Sequence, residues 1–260
     1  MLGKLVKHEW NATWKLLVPV NLLSVVMTVL ACITVRLDAF DSGNVGIILS
    51  AIVIILNYTA YMFVVMIGVS IYLTYRFYTS TYGDQGYLLH TLPVDKHHII
   101  ISKVLVSTGW ILPSSAMMYM SVYLLFNEED NIFMRILSSV SNMATWAGNE
   151  KTNAFAVIMT LIASVVMLFA SVLKVTASIS LGQLSNNHKV LASFGFYFLL
   201  YTVQQIMNGI CYGVLGYINT ITDDWYFGIS WEYSLLSGLI YSVVYYLITW
   251  SIMDKRLNLD

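Results

Sequence analysis

Six long stretches of this chain carry no charged residue at all, and that pattern limits its possible folds more than any other feature. They cover residues 16–35, 42–75, 104–127, 152–173, 190–222 and 233–253. A helix needs about 20 mainly apolar residues to cross a hydrocarbon layer of roughly 30 Å, and each stretch reaches that length. Charged residues make up only 10% of the chain, against roughly 25% in soluble domains, so most of its outer surface must meet lipid rather than water. The expected fold is an all-α membrane protein, a single transmembrane domain over 1–260. Its spans fall at 16–35, 45–74, 104–126, 154–174, 190–217 and 232–253.

The charges between the stretches set the orientation. With the N-terminus inside, Lys4, Lys7, Lys15, Arg76, Lys96, Lys103, Lys174, Lys189, Lys255 and Arg256 are cytoplasmic, and only Arg36, Arg135 and Lys151 are outside. Excess Lys and Arg marks the cytoplasmic side, so both termini are expected there. The tryptophans, among them Trp10, Trp14, Trp110 and Trp250, fall near span ends, as an interfacial belt requires. The first stretch is too long for a signal peptide, and five more follow it. The net charge of −1 gives no general attraction to nucleic acid.

Residues 1–15 alternate between two faces. Leu2, Leu5, Val6, Trp10, Thr13 and Trp14 recur at helical spacing, with Lys4, Lys7, His8, Asn11 and Lys15 between them. This pattern predicts an amphipathic helix lying in the headgroup plane. The second stretch has 34 residues, about 50 Å as one helix, and so exceeds the membrane. Its aromatic, polar end at 72–82 points to a cytoplasmic projection. The loop over 76–103 follows. Gly83-Asp84-Gln85-Gly86 reads as a turn. Tyr87 to Thr91 can form one or two helical turns that Pro93 ends, and Asp95 can cap the helix entering the third span. Exposed Tyr87, Leu88 and Leu92 on such a segment suit docking to a partner.

Several chemistries are excluded or unsupported. The chain has no G-x-x-x-x-G-K-[ST] phosphate loop and no H-E-x-x-H motif. Asp95, His97 and His98 lack further ligands, and a solvated segment explains them better than a metal site. No acidic or basic residue stands near the middle of any expected span, where ion-coupled transporters place them. What remains is uncharged polarity. On the fifth span Tyr197, Tyr201, Gln204, Gln205, Asn208 and Tyr212 share a face, and Gly209, Gly213 and Gly216 lie beside it. Asn57 and Tyr61 add polarity to the second span, and Asn21, Ser24 and Thr28 to the first. Such side chains avoid lipid, so they either bond between helices or line a path or a subunit contact.

Phe77 to Lys103, with its core Tyr82-Gly83-Asp84-Gln85-Gly86-Tyr87-Leu88 and His90-Thr91-Leu92-Pro93-Val94, resembles the permease subunits of ATP-binding-cassette exporters in the form common in Firmicutes. The start Leu2-Gly3-Lys4-Leu5-Val6-Lys7-His8-Glu9-Trp10 and the ending Met253-Asp254-Lys255-Arg256 resemble them too. The resemblance implies that the 76–103 loop carries a coupling helix seated on a separate ATPase. Asp84, Gln85, Gly86, Tyr87, Leu88, His90, Leu92 and Pro93 would be the docking residues. It implies two permeases, identical or homologous, with two cytoplasmic ATPases. This chain would hold no cofactor, and ATP and Mg would bind the partner. It places the pathway or dimer interface around Asn57, Tyr61, Tyr201, Gln204, Gln205, Asn208 and Tyr212. The expected activity is export of an amphipathic or hydrophobic substrate (peptide, drug or lipid-like) from a bacterial cell. The alternative is a membrane sensor or immunity subunit that binds an outside ligand and signals through the same loop.

Overall fold

A computed structural model describes residues 2–36, 43–83, 86, 95–126, 154–185, 188–222 and 231–255. Among these residues there is no strand, and six helices account for nearly all of them. They are α1 (Leu2–Arg36), α2 (Val45–Thr81), α3 (Lys96–Phe126), α4 (Ala154–Gly182), α5 (Lys189–Thr222) and α6 (Trp231–Lys255). All six are long and apolar enough to cross a membrane. Large apolar side chains such as Leu56, Phe63, Val64, Phe194 and Phe198 stay more than half exposed, the surface expected of a multi-pass membrane protein.

The helices alternate in direction. Along α1 and α3, Glu9 meets Lys103, Thr13 meets Trp110, Asn21 meets Ser114 and Ser24 meets Met117. Both series rise together, so α1 and α3 run parallel. α2 runs the other way: Arg76 meets Glu9, while Tyr61 donates to the Val20 carbonyl. The end of α2 meets the end of α4 through Tyr82 and Ser180, and Lys96 at the start of α3 pairs with Asp254 at the end of α6. The N-terminal end of α1 and the C-terminal end of α6 therefore share one face of the bundle, here called the terminal face.

That face holds the main core. Phe77 and Tyr82, Ile99 and Ile100, Leu173 and Ala177, and Met253 pack together there from α2, α3, α4 and α6. The last third of α4 is its hub, because Thr176, Ala177, Ser178, Ser180 and Gly182 are small enough for neighbours to approach closely. Gly182 is required. A Cβ there would stand 2.7 Å from the Ser193 amide nitrogen and 2.8 Å from the Lys189 carbonyl oxygen, both on the first turns of α5. The rest of α5 is peripheral: none of its residues 189–214 is buried.

Two sequence expectations change. Residues 2–15 form no separate interfacial helix; α1 is continuous from Leu2, and residues 9–24 pack along α3. Glu9 ties this segment to the bundle, its carboxylate bonded to Lys103 and Arg76. The 76–103 loop is shorter than expected, since 76–81 belong to α2 and 96–103 to α3. Gly209 and Gly213, beside the polar face of α5, meet nothing within 4 Å among the described residues. The long second helix is borne out: its 37 residues measure about 55 Å.

Accessibility should follow this arrangement. In a background lacking Cys32 and Cys211, cysteine at Gly43 should react with an impermeant maleimide in sealed cells. Cysteine at Gly3 or Asp95 should react only after permeabilisation. Equal labelling of Gly43 and Asp95 would break the six-span arrangement.

Candidate functional site

Two groups of polar side chains lie within the bundle, the first near the terminal face and the second running from Lys174, near the end of α4, to Tyr233 at the opposite end. The first is built on Glu9, the only acidic residue in α1. Its Oε1 accepts from Lys103 Nζ at 2.7 Å, and its Oε2 accepts from Arg76 Nη2 at 3.2 Å and Nε at 3.3 Å. Lys103 also donates to Ser80 Oγ, and Ser80 in turn bonds the Arg76 carbonyl. Lys103 is 5% exposed, so the ammonium depends on these partners for its solvation. One carboxylate thus joins α1, α2 and α3 close to where α2 ends and α3 begins. Beside it, Trp10 stacks on Trp110 at 4.5 Å, and the Trp110 indole donates to Thr13 Oγ1 at 2.9 Å.

Below this brace α2 ends in a tight return. A Cβ at Gly86 would meet the Thr81 carbonyl, with the Thr81 carbonyl carbon 2.7 Å away. The turn read at Gly83 to Gly86 therefore needs its second glycine. The Tyr82 hydroxyl shares a hydrogen bond of 2.7 Å with Ser180. Burial pushes its phenol up to about 12, so this joint between α2 and α4 stays neutral at physiological pH. Asp95 stands just before α3, its carbonyl accepting from the His98 amide. Of the expected docking residues, Gly86 is described; Asp84, Gln85, Tyr87, Leu88, His90, Leu92 and Pro93 lie outside the described residues. Among the described residues no cluster of His, Cys, Asp or Glu could hold a metal ion.

The second group links α4, α5 and α6. The backbones of α5 and α6 never come within 8 Å of each other at their Cα atoms, and tyrosines from α6 span the gap. Tyr233 and Tyr241 donate to Asn208 Oδ1 at 2.9 and 2.7 Å, and Tyr245 donates to Gln204 Oε1 at 3.2 Å. From α4, Lys174 Nζ donates to the same Gln204 oxygen at 3.1 Å and lies 5.5 and 5.1 Å from the Tyr197 and Tyr201 ring centroids. Tyr212 packs beside Tyr233 at 4.7 Å.

The expected polar face of α5 therefore divides. Gln204 and Asn208 turn inward and bond other helices. Tyr201, Gln205 and Tyr212 remain exposed, with Gln205 Nε2 donating to the Tyr201 hydroxyl one turn away. Asn57 is also exposed and bonds only its own helix, at the Val53 carbonyl. Tyr61 instead ties α2 to α1. The structure does not bring Asn57 and Tyr61 to the α5 residues.

Sequence reasoning missed Glu9, Lys103 and Lys174 as parts of the interior. It placed both lysines at span boundaries, yet each lies well inside a helix and is buried, Lys174 eight residues before the end of α4. The available signals were a lone acid in a basic segment and a lone lysine followed by small residues. No protein family, curated protein or solved structure matches the chain.

Proposed function

We propose that this chain is the membrane-spanning subunit of an ATP-binding-cassette exporter in a bacterial cell membrane, with both termini cytoplasmic. It moves an amphipathic or hydrophobic substrate, and separate ATPase subunits that bind ATP and Mg seat on residues 84–93. The observation that carries this reading is the Glu9 brace. The two helices bounding that segment, α2 and α3, are locked to each other and to α1 through one carboxylate. A push on the segment reaches three spans together, and α2 extends it for about 55 Å. Support also comes from Asn57, an exposed amide on α2 that donates to the Val53 carbonyl of its own helix; its oxygen is costly against lipid and is satisfied when a second permease covers it.

The test is Tyr87→Ala combined with Leu92→Ala. Expression and detergent behaviour should match the wild type, while a co-expressed ATPase subunit should no longer copurify. Removing two apolar anchors from a partner groove costs several kcal/mol. Wild-type copurification and transport in the double variant would show that the ATPase docks elsewhere.

A further inference from the structure

Lys103 and Lys174 are the two buried lysines among the described residues, at 5% and 7% exposure. Lys103 has Glu9. Lys174 has no carboxylate within 4 Å among the described residues. Its three N–H groups meet one hydrogen-bond acceptor, Gln204 Oε1, and the faces of two tyrosine rings. An ammonium buried this far within the bundle is unfavourable without a counter-charge.

Gln204 adds to the imbalance. Lysine can only donate, so the amide must present its oxygen to Lys174, and its NH2 group is turned away. Tyr245 takes up the remaining capacity of that oxygen. The Gln204 NH2 donates to no atom among the described residues, yet it is not sealed from the surface. Among the described residues the Lys174 ammonium thus lacks a counter-charge and the Gln204 NH2 lacks an acceptor. The adjoining surface of α5 is apolar: Phe194 is 64% exposed and Phe198 66%. An ammonium and an amide NH2 beside an exposed aromatic surface match a molecule with an anionic head and an apolar tail.

We propose that Lys174 and Gln204, roofed by Tyr197 and Tyr201, bind the anionic headgroup of an amphiphile whose tail lies along α5. The phosphate of a bilayer lipid and the carboxylate of a single-chain amphiphile share this chemistry. The site does not depend on the exporter reading, because it is defined by binding alone.

The experiment is a thermal-stability titration of the purified full-length protein in neutral detergent. The probes are dioleoyl phosphatidylglycerol against dioleoyl phosphatidylcholine, and oleate against oleyl alcohol. The wild type should be half-saturated by an anionic probe at about a tenth of the concentration needed for its neutral counterpart, the ratio of a single 1.4 kcal/mol contact. Lys174→Arg should keep the preference, and Lys174→Met should lose it. Gln204→Glu places a carboxylate beside Lys174. It should raise stability without added amphiphile and abolish the preference, which covers the case in which Lys174→Met does not fold. Lys15→Met removes an exposed lysine and should change nothing. A response to phosphatidylglycerol alone identifies a bilayer lipid, and a response to oleate alone identifies a single-chain amphiphile. Absence of preference in the wild type, its retention in Gln204→Glu, or an equal loss in Lys15→Met would overturn the proposal.

Discussion

Glu9→Gln should destabilise the protein by about 3–5 kcal/mol, the cost of leaving a buried cation without its partner. The substitution keeps the shape and removes only the charge. Lys103, 5% exposed, then faces Arg76 with nothing negative between them. Thermal denaturation in detergent is the measurement. A second variant separates charge from packing. Glu9→Leu with Lys103→Met removes both buried charges, and Arg76, whose side chain is 23% exposed, can turn to solvent. This double variant should recover most of the loss, because replacing a buried pair with apolar side chains is often close to neutral. If Glu9→Gln melts with the wild type, Lys103 draws its solvation from outside the bundle and the brace carries no energy.

Gly182→Ala should have the next largest effect, about 3 kcal/mol, the upper end of what overpacking costs. The new methyl would press on the Ser193 side chain, which can rotate, but also on the Ser193 amide nitrogen at 2.7 Å and the Lys189 carbonyl at 2.8 Å. Those atoms belong to the backbone of α5 and move only if the helix moves. α5 packs its backbone on α4 alone, so the strain should appear as separation of these two helices. A cysteine pair across α4 and α5 would report it as lost crosslinking. Adding Ser193→Ala should not rescue the variant, because the backbone contacts remain. Full rescue would mean that the close approach involves only the side chain.

The number and order of spans were legible in the sequence because charge is nearly absent from lipid-exposed helices, and the 190–222 and 233–253 stretches lie within α5 and α6. The excessive length of the second stretch was legible for the same reason. The interior charges were not. Counting Lys and Arg towards one side treats every lysine as a boundary residue, which hid that Lys103 is bonded to an acid 94 positions away. Nothing local in the sequence marks that pair. The polar face of α5 was found but read too coarsely. At about 100° per residue, its members spread over an arc of roughly 100°. Gln204 and Asn208 lie at one edge, where α4 and α6 approach, and Tyr201, Tyr212 and Gln205 lie towards the other, which stays exposed among the described residues. Periodicity fixes an arc; only the position of neighbouring helices decides which part of it is inside.

The parallel pairing of α1 with α3 sets an order for biosynthesis. Glu9, Arg76 and Lys103 emerge on three successive spans, so the first half of the chain can neutralise its interior charges before α4 is made. The second half has no such early closure. Lys174 is made with α4, its first partner arrives 30 residues later at Gln204, and Tyr245 follows only on the last helix. A ribosome paused after α4 would therefore hold a lysine whose interior partners have not yet been made.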